Sequence, residues 1–434
     1  WGADTEHRID LGAKGGQHDL MLAKPSAWIS ALTFLGAEGE IQPTRLIAHI
    51  ANAESDPLEV RRCRLWLPES KTEFAVLTAQ PWLTHLANFP MGGVIPAGEK
   101  GGFRVETEPL PLTYAAIEVE CDRPGDGSIS LWAHLRIKPE IFDISGGWVA
   151  LDLGGRNSLT AEPYLKSLKR MHINTGQIEE VSGYTDNPDL YARYPLKRFN
   201  RLADVGRYDT KAMLPQIHAV EFLGEPQYGG GKPVPPQEVW EAFEPYRPTR
   251  LPTTVTHSEE RIWRYYAGLS DYPHFDAYRV VAPAADSWRL YDRWGGARLR
   301  WGAPLETIGD LTRSLRDLNR PRPIAYWSQG AHAGWRSWSR KRASPTPDEL
   351  KSQAFHGLAQ RVTSLYWFNL SLKSLLKYPD LIEPITRFNR LALTIAPLLL
   401  SGDAFEYRRE FSESNPDWDL SSVTGPQGGL FFAN

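Results

Sequence analysis

Alternation of apolar and polar positions divides the chain into two regimes. Ile129, Leu131, Ala133, Leu135 and Ile137 alternate with Ser130, Trp132, His134 and Arg136, and Ile117, Val119 and Cys121 alternate with Glu118 and Glu120. Side chains on a strand point to opposite faces in turn, so this period of two predicts half-buried β-strands. Further strands are expected over 45–52 and 60–67, separated by turn-forming tracts such as Glu54-Ser55-Asp56-Pro57 and Arg123-Pro124-Gly125-Asp126-Gly127. Several short strands with this punctuation predict an N-terminal β-sandwich over residues 1–143.

At Gly146-Gly147 the period changes. Short apolar runs now alternate with helical stripes, the pattern of parallel β/α units. Strands are expected at 148–153, 172–178, 216–223, 253–256, 277–282, 323–327 and 364–368, with a weakly marked third strand inside 184–213. Leu165, Leu168 and Met171 mark one helix, and Leu305, Ile308, Leu311, Leu315 and Leu318 another. Further helices are expected over 259–269 and 384–396. Thr346-Pro347-Asp348-Glu349 has Thr at the N-cap, Pro at the first helical position and Glu at the third, a capping box. Eight units predict an α/β fold, a (β/α)8 TIM barrel over 144–400. The period returns to two at 405–411 and 429–432, so residues 401–434 are expected to form strands of an accessory sheet.

Composition narrows the function classes. A net charge of −3, with only short basic tracts at 316–322 and 336–342, argues against nucleic acid. The longest apolar run, 391–400, is too short for a membrane span and is interrupted by Thr394 and Pro397. Of 16 Trp, those near the seventh strand suit stacking on a sugar face, although Trp also fills large cores. Cys63 and Cys121 read either as one disulfide or as two buried thiols. The chain begins at Trp1 without the basic and apolar regions of a signal peptide. It is read as a secreted or periplasmic protein whose leader has been removed.

Candidate chemistry lies where barrel strands end. The fourth strand runs into Gly224-Glu225-Pro226, and the seventh into Trp327-Ser328-Gln329. The β-domain followed by a barrel with Gly-Glu-Pro after the fourth strand resembles the glycoside hydrolases of clan A. That family carries Asn-Glu-Pro there, and the resemblance covers residues 146–400. It implies that Glu225 is the general acid/base. Gly224 replaces the family's Asn, and Gln329 stands where the family has its nucleophilic Glu. An amide cannot form a glycosyl ester. Three explanations stand: an engineered Glu→Gln change, a different second carboxylate, or a glycan-binding protein that does not cleave. The second is favoured.

Glycoside hydrolysis needs a second carboxyl about 5 Å away for retention or about 6.5–9.5 Å for inversion. Glu179 and Glu180, after the second strand, are the leading candidates, with Asp152 also considered. Glu221 shares the strand face of Glu225 but lies deeper, as a structural partner. Substrate contacts are assigned to Gln329, Trp327, Trp335, His332, His257, Tyr184, Asp152 and Arg156. No metal-ligand spacing, phosphate loop or dinucleotide fingerprint occurs, so no cofactor is expected. The expected partner is a carbohydrate. The rival functions are a degenerate barrel that binds a glycan, and a barrel enzyme of other chemistry such as a lyase.

Overall fold

The structure is a computed structural model. It describes residues 5–10, 17–22, 26–67, 73–77, 80–83, 93–125, 127–147, 158–176, 188–202, 205–222, 225–226, 232–258, 260–280, 305, 307–331, 344–368, 370–412 and 415–434.

Three antiparallel sheets form from the N-terminal region, one of them the two-stranded pair Thr5–Asp10 and Gln17–Leu22, and the two larger ones face each other. In one, Ala27–Leu35, Arg45–Asn52, Lys100–Glu106 and Gln80–Leu83 are neighbours in that order. In the other, Gly127–Arg136, Tyr114–Arg123, Leu58–Trp66 and Glu73–Leu77 are neighbours. Their apolar rows meet in one core, where Leu32, Leu46 and Phe103 pack with Leu65, Ile117 and Leu135. Cys63 and Cys121 are free thiols buried in that core, and burial pushes each up to about 12.

The barrel is closed. Its strands are Asp143–Gly147, Thr175–Gly176, Lys197–Arg201, Ile217–Glu221, Thr253–His257, Tyr272–Asp276, Ala325–Gln329 and Ser364–Phe368. The eighth pairs with the first in parallel, Asp143 opposite Ser364 and Gly147 opposite Phe368. Phe199, Tyr272, Trp327 and Tyr366 fill the interior. The helices Thr307–Asn319, Pro347–Ala359 and Ile382–Ser401 cover the outside, burying Ile308, Leu311, Leu350, Leu358 and Ile385. The capping box forms both of its bonds: Thr346 accepts from the Glu349 amide, and Glu349 accepts from the Thr346 amide. Thr346→Ala is expected to cost about 1 kcal/mol, read as a lower urea midpoint with an unchanged slope.

Three expectations change. The sixth strand is Tyr272–Asp276, not 277–282. Pro273 and His274 break its apolar pattern, whereas the following tract looks more strand-like. The first described strand begins at Asp143, earlier than expected, and 148–153 lie outside the described residues. The polar residues Asp143 and Ser145 are buried inside the barrel and gave no apolar signal. The helix expected over 259–269 is shorter, a single turn at Glu260–Ile262 followed by Trp263–Tyr266.

After the barrel, Asp403–Ser412, Asn415–Gly425 and Gly428–Ala433 form a three-stranded antiparallel sheet. Its middle strand was not anticipated. Val423 and Phe432 pack on Leu399 and Leu400 of the last helix.

Polar seams join the parts. Arg136 of the N-terminal region donates from Nε to Asp271 at 2.9 Å, from Nη2 to the Tyr246 carbonyl at 3.0 Å, and to the Thr249 carbonyl. On the other side Asp403 accepts from Ser30 at 2.6 Å and from Lys100 at 3.0 Å. Among the described residues no helix is long and apolar enough to cross a membrane.

Candidate active site

The residues of interest lie at the C-terminal mouth of the barrel. Glu225 follows the fourth strand with φ of 58°, in the left-handed region. For a residue other than glycine such a backbone costs about 1–3 kcal/mol, and it persists only where its surroundings hold it. One hold is visible: the Glu225 amide donates to the Thr256 carbonyl at 3.0 Å, tying the turn to the fifth strand. Pro226 then fixes the exit direction.

The turn delivers the Glu225 carboxyl into hydrogen-bonding reach of the Ser258 hydroxyl and the Asp276 carboxyl. Burial pushes the Glu225 carboxyl above the ordinary carboxylate range, against the opposing pull of those two hydrogen bonds. Asp276 ends the sixth strand, and its Oδ1 is fully buried without a hydrogen-bond partner among the described residues. Burial, and after it the charge of Glu225, hold the Asp276 carboxyl well above its usual value despite nearby Arg279. Burial, and after it the charges of the same two acids, push the Tyr278 hydroxyl well above its usual value.

Asp276 was not among the sequence candidates. Placing the sixth strand at 277–282 left Asp276 before the strand, where strand-end reasoning does not look. A strand set five residues earlier would have flagged it.

Gln329 ends the seventh strand in the same inward row as Ala325 and Trp327. It is fully buried, and neither amide atom has a partner among the described residues. Buried polar atoms are nearly always paired, so an unpaired amide at a barrel mouth calls for an explanation such as a ligand. Glu221 ends the fourth strand and accepts from Thr256 Oγ1 at 3.1 Å, the supporting place expected for it.

Two candidates sit elsewhere than expected. Trp327 is 5% exposed, its ring 4.8 Å from Tyr366 and 5.7 Å from Phe199, so it packs the interior and presents no open face to a sugar. His257 lies on the outward face with Val255, its ring 6.3 Å from both Trp263 and Tyr266 in the layer under the helices. Burial holds its pKa at about 3, so it is neutral there. For His257 the alternation of faces was overlooked; Trp327 does face inward but sits one layer below the strand end, among the interior rings. Glu179, Glu180, Tyr184, Asp152, Arg156, His332 and Trp335 lie outside the described residues.

The opposite mouth is polar, and Lys138, Asp143, Lys197 and His218 help to line a cavity of about 440 Å³ there. Asp143 there accepts from Lys197 at 3.0 Å and from Thr175 at 2.8 Å, and its other oxygen meets His218 at 2.8 Å. The far nitrogen of His218 lies 2.7 Å from the Tyr366 hydroxyl. Among the described residues no group of side chains has the composition to hold a metal ion.

No protein-family model matches the chain, and no curated protein matches it. Solved structures do. A β-glucuronidase of Dictyoglomus thermophilum is 13% identical over 84% of this chain and 69% of its own, with a TM-score of 0.34. A β-glucuronidase from Ruminococcus gnavus in complex with D-glucuronic acid is 13% identical over 80% of this chain and 62% of its own, with a TM-score of 0.37. A Bifidobacterium dentium β-glucuronidase complexed with coumarin-3-O-glucuronide is 11% identical over 81% and 62%, with a TM-score of 0.33. The chain spans less than two thirds of the length of the last two. These likenesses assign no activity. The barrel itself rests on the closed ring of eight parallel strands.

Proposed function

We propose that the chain is a glycoside hydrolase acting on a poly- or oligosaccharide, with Glu225 as its general acid/base. One observation carries the reading: a carboxyl of raised pKa held in a left-handed turn at the C-terminal mouth of an eight-stranded barrel. A carboxyl that keeps its proton toward neutral pH is what protonation of a leaving glycosidic oxygen requires. As the bond from the anomeric carbon breaks, its electron pair goes to that oxygen and Glu225 supplies the proton.

The group on the other face of the sugar is a separate carboxylate. Asp276 acts on the Glu225 carboxyl and is given no role across the scissile bond. Glu179 or Glu180 takes that role in this reading, as nucleophile or as base toward water. Gln329 offers its amide to a sugar hydroxyl. Asp152, Arg156, Tyr184 and His332 are assigned further contacts, and Trp335 the stacking face. We place the protein outside the cytoplasm, in the periplasm or secreted.

The alternative is a glycan-binding protein, favoured by Gln329 standing where a hydrolase of this type keeps its nucleophile. Product release from a panel of polysaccharides and aryl glycosides, run in parallel with Gln329→Glu, separates the two. Turnover by the unaltered chain, with no gain from Gln329→Glu, is the expected result. Binding of a glycan without turnover by either protein would sink the hydrolase reading.

A further inference from the structure

Away from the barrel mouth, a groove runs between the outward face of one N-terminal sheet and the flank of the barrel. Its volume is about 770 Å³, the size of a small-ligand site. The sheet wall follows from register. Ala116 lies opposite Trp66 on one neighbouring strand and opposite His134 on the other. All three point away from the sandwich core, because their chain neighbours Leu65, Ala115 and Ala133 are in it. A methyl group between two large rings leaves a trough. On the barrel side the helix Pro236–Phe243 brings Trp240, the turn after it brings Arg247, and the tract before the seventh strand brings Arg322.

The rings here are open where others are closed. Among the described residues two tryptophans are exposed, Trp132 at 51% and Trp240 at 39%. Trp240 lines the groove. Trp132 stands at its edge, two residues before His134, with its ring 6.5 Å from that of Trp66 and tilted by 30°. By contrast Trp263, Trp327 and Trp367 are core residues. Neighbouring indoles left in water present the flat apolar surface that the face of a pyranose covers.

The polar groups suit the edge of the same ligand. The Arg247 guanidinium lies 3.3 Å over the Trp240 ring. Stacking engages the face of a guanidinium and leaves the N–H groups in its plane to donate elsewhere. Arg322 donates from Nη2 to the His134 carbonyl at 3.3 Å, which holds it across the groove from the sheet. Gly268 makes room for it: its φ is 80°, and a Cβ there would stand 3.2 Å from Arg322 Nη1.

We propose that this groove is a second carbohydrate site, in which Trp66, Trp132 and Trp240 stack on the sugar rings of an oligosaccharide and Arg247 and Arg322 donate to its oxygens. The proposal goes beyond the hydrolase reading, because it calls for binding and for no cleavage. In a hydrolase the site would retain a polymer between cuts. In a protein that does not cleave, it would bind all the same.

The test is calorimetric titration of the full chain with hexasaccharides of glucose, xylose, mannose and galacturonic acid, repeated on Trp240→Ala, Arg247→Gln and Ala116→Trp. At least one hexasaccharide should bind. Trp240→Ala and Arg247→Gln should each weaken it by about tenfold. Ala116→Trp fills the trough without removing a ring or a guanidinium, and it should abolish binding. Tighter binding of the galacturonic acid hexamer, lost as salt rises, would assign the guanidiniums to an acid group; equal binding of a neutral hexamer would assign them to hydroxyls. Silence from every hexasaccharide, or binding that the three folded variants keep, would overturn the proposal. Loss of binding in Glu225→Gln with none lost in Ala116→Trp would place the glycan at the barrel mouth and overturn it as well. Turnover is not read, so a protein that binds here and cleaves nothing defeats the hydrolase reading alone, and one that cleaves but binds nothing here defeats this proposal alone.

Discussion

Glu225→Gln should lower kcat/KM on any glycan the chain cleaves by about 10²–10⁴-fold, the range a positioned general acid supplies. Gln keeps the shape of the side chain and its reach to Ser258 and Asp276, but it has no proton of useful acidity. The loss should shrink on aryl glycosides with acidic phenol leaving groups, since such oxygens depart with less help from a proton. Stability should move the other way. A carboxyl whose folded pKa is raised costs stability once the pH passes the range where the unfolded chain ionises. Replacing it with a neutral amide removes that cost, so melting temperature at pH 7 to 8 should hold or rise. A residue whose removal costs activity and gives back stability serves chemistry more than folding. Equal turnover of a demanding alkyl glycoside by both proteins would eliminate Glu225 as the acid.

The second large effect is structural. Arg136 and Asp271 are 0% and 2% exposed at the side chain, and they join the N-terminal region to the start of the sixth barrel strand. Arg136 also donates to the Tyr246 and Thr249 carbonyls, and its guanidinium lies 4.2 Å over the Tyr114 ring. Burial alone would raise the Asp271 carboxyl; the adjacent guanidinium outweighs it and holds the carboxyl below its usual range. Asp271→Ala leaves a buried cation without its counter-charge and should cost about 3–5 kcal/mol, measured by urea unfolding. Changing both partners, Arg136→Met with Asp271→Leu, should recover much of that loss, because the apolar pair avoids desolvating two charges. A single-variant cost below about 1 kcal/mol would mean that water reaches the pair. The pair's contribution is present above the ordinary carboxylate range and is lost as the pH falls through the depressed pKa of Asp271.

Where the polypeptide followed local rules, it was readable in advance. Ser364–Phe368, a serine followed by four large apolar or aromatic residues, is buried on both sides and forms the eighth strand with the bounds expected. Thr346 to Glu349 carries its helix start in four residues, and both bonds form. Glu225 was singled out because Gly-Glu-Pro follows a predicted strand, and it does follow the fourth barrel strand. The failures share a cause: barrel strands whose inward side chains are polar. Asp143 in the first strand, and His274 and Asp276 in the sixth, face polar partners inside the barrel, while the buried Ser145 hydroxyl has none among the described residues. Those partners come from other strands, so a linear pattern does not announce them. Asp276 is the costly case. Its place at a strand end depends on a register that only the neighbouring strands determine, with Asp276 opposite Trp327.

The seam at Asp403 carries an implication for how the chain is made. Lys100 and Ser30 reach their shared carboxylate across 303 and 373 positions of sequence. The N-terminal sheets have a core of their own and can collapse while the rest is still being synthesised. Their contact with residue 403 must wait until the last barrel helix has left the ribosome. Until then Lys100 and His49 face water, and the half-made molecule keeps a hydrated groove where the finished one has a dry joint. The barrel ring obeys the same timetable, since its first strand has an open edge until Ser364–Phe368 arrives. Translation thus finishes both closures within one short interval, and a ribosome stalled before that point would hold a chain with its strand edge exposed.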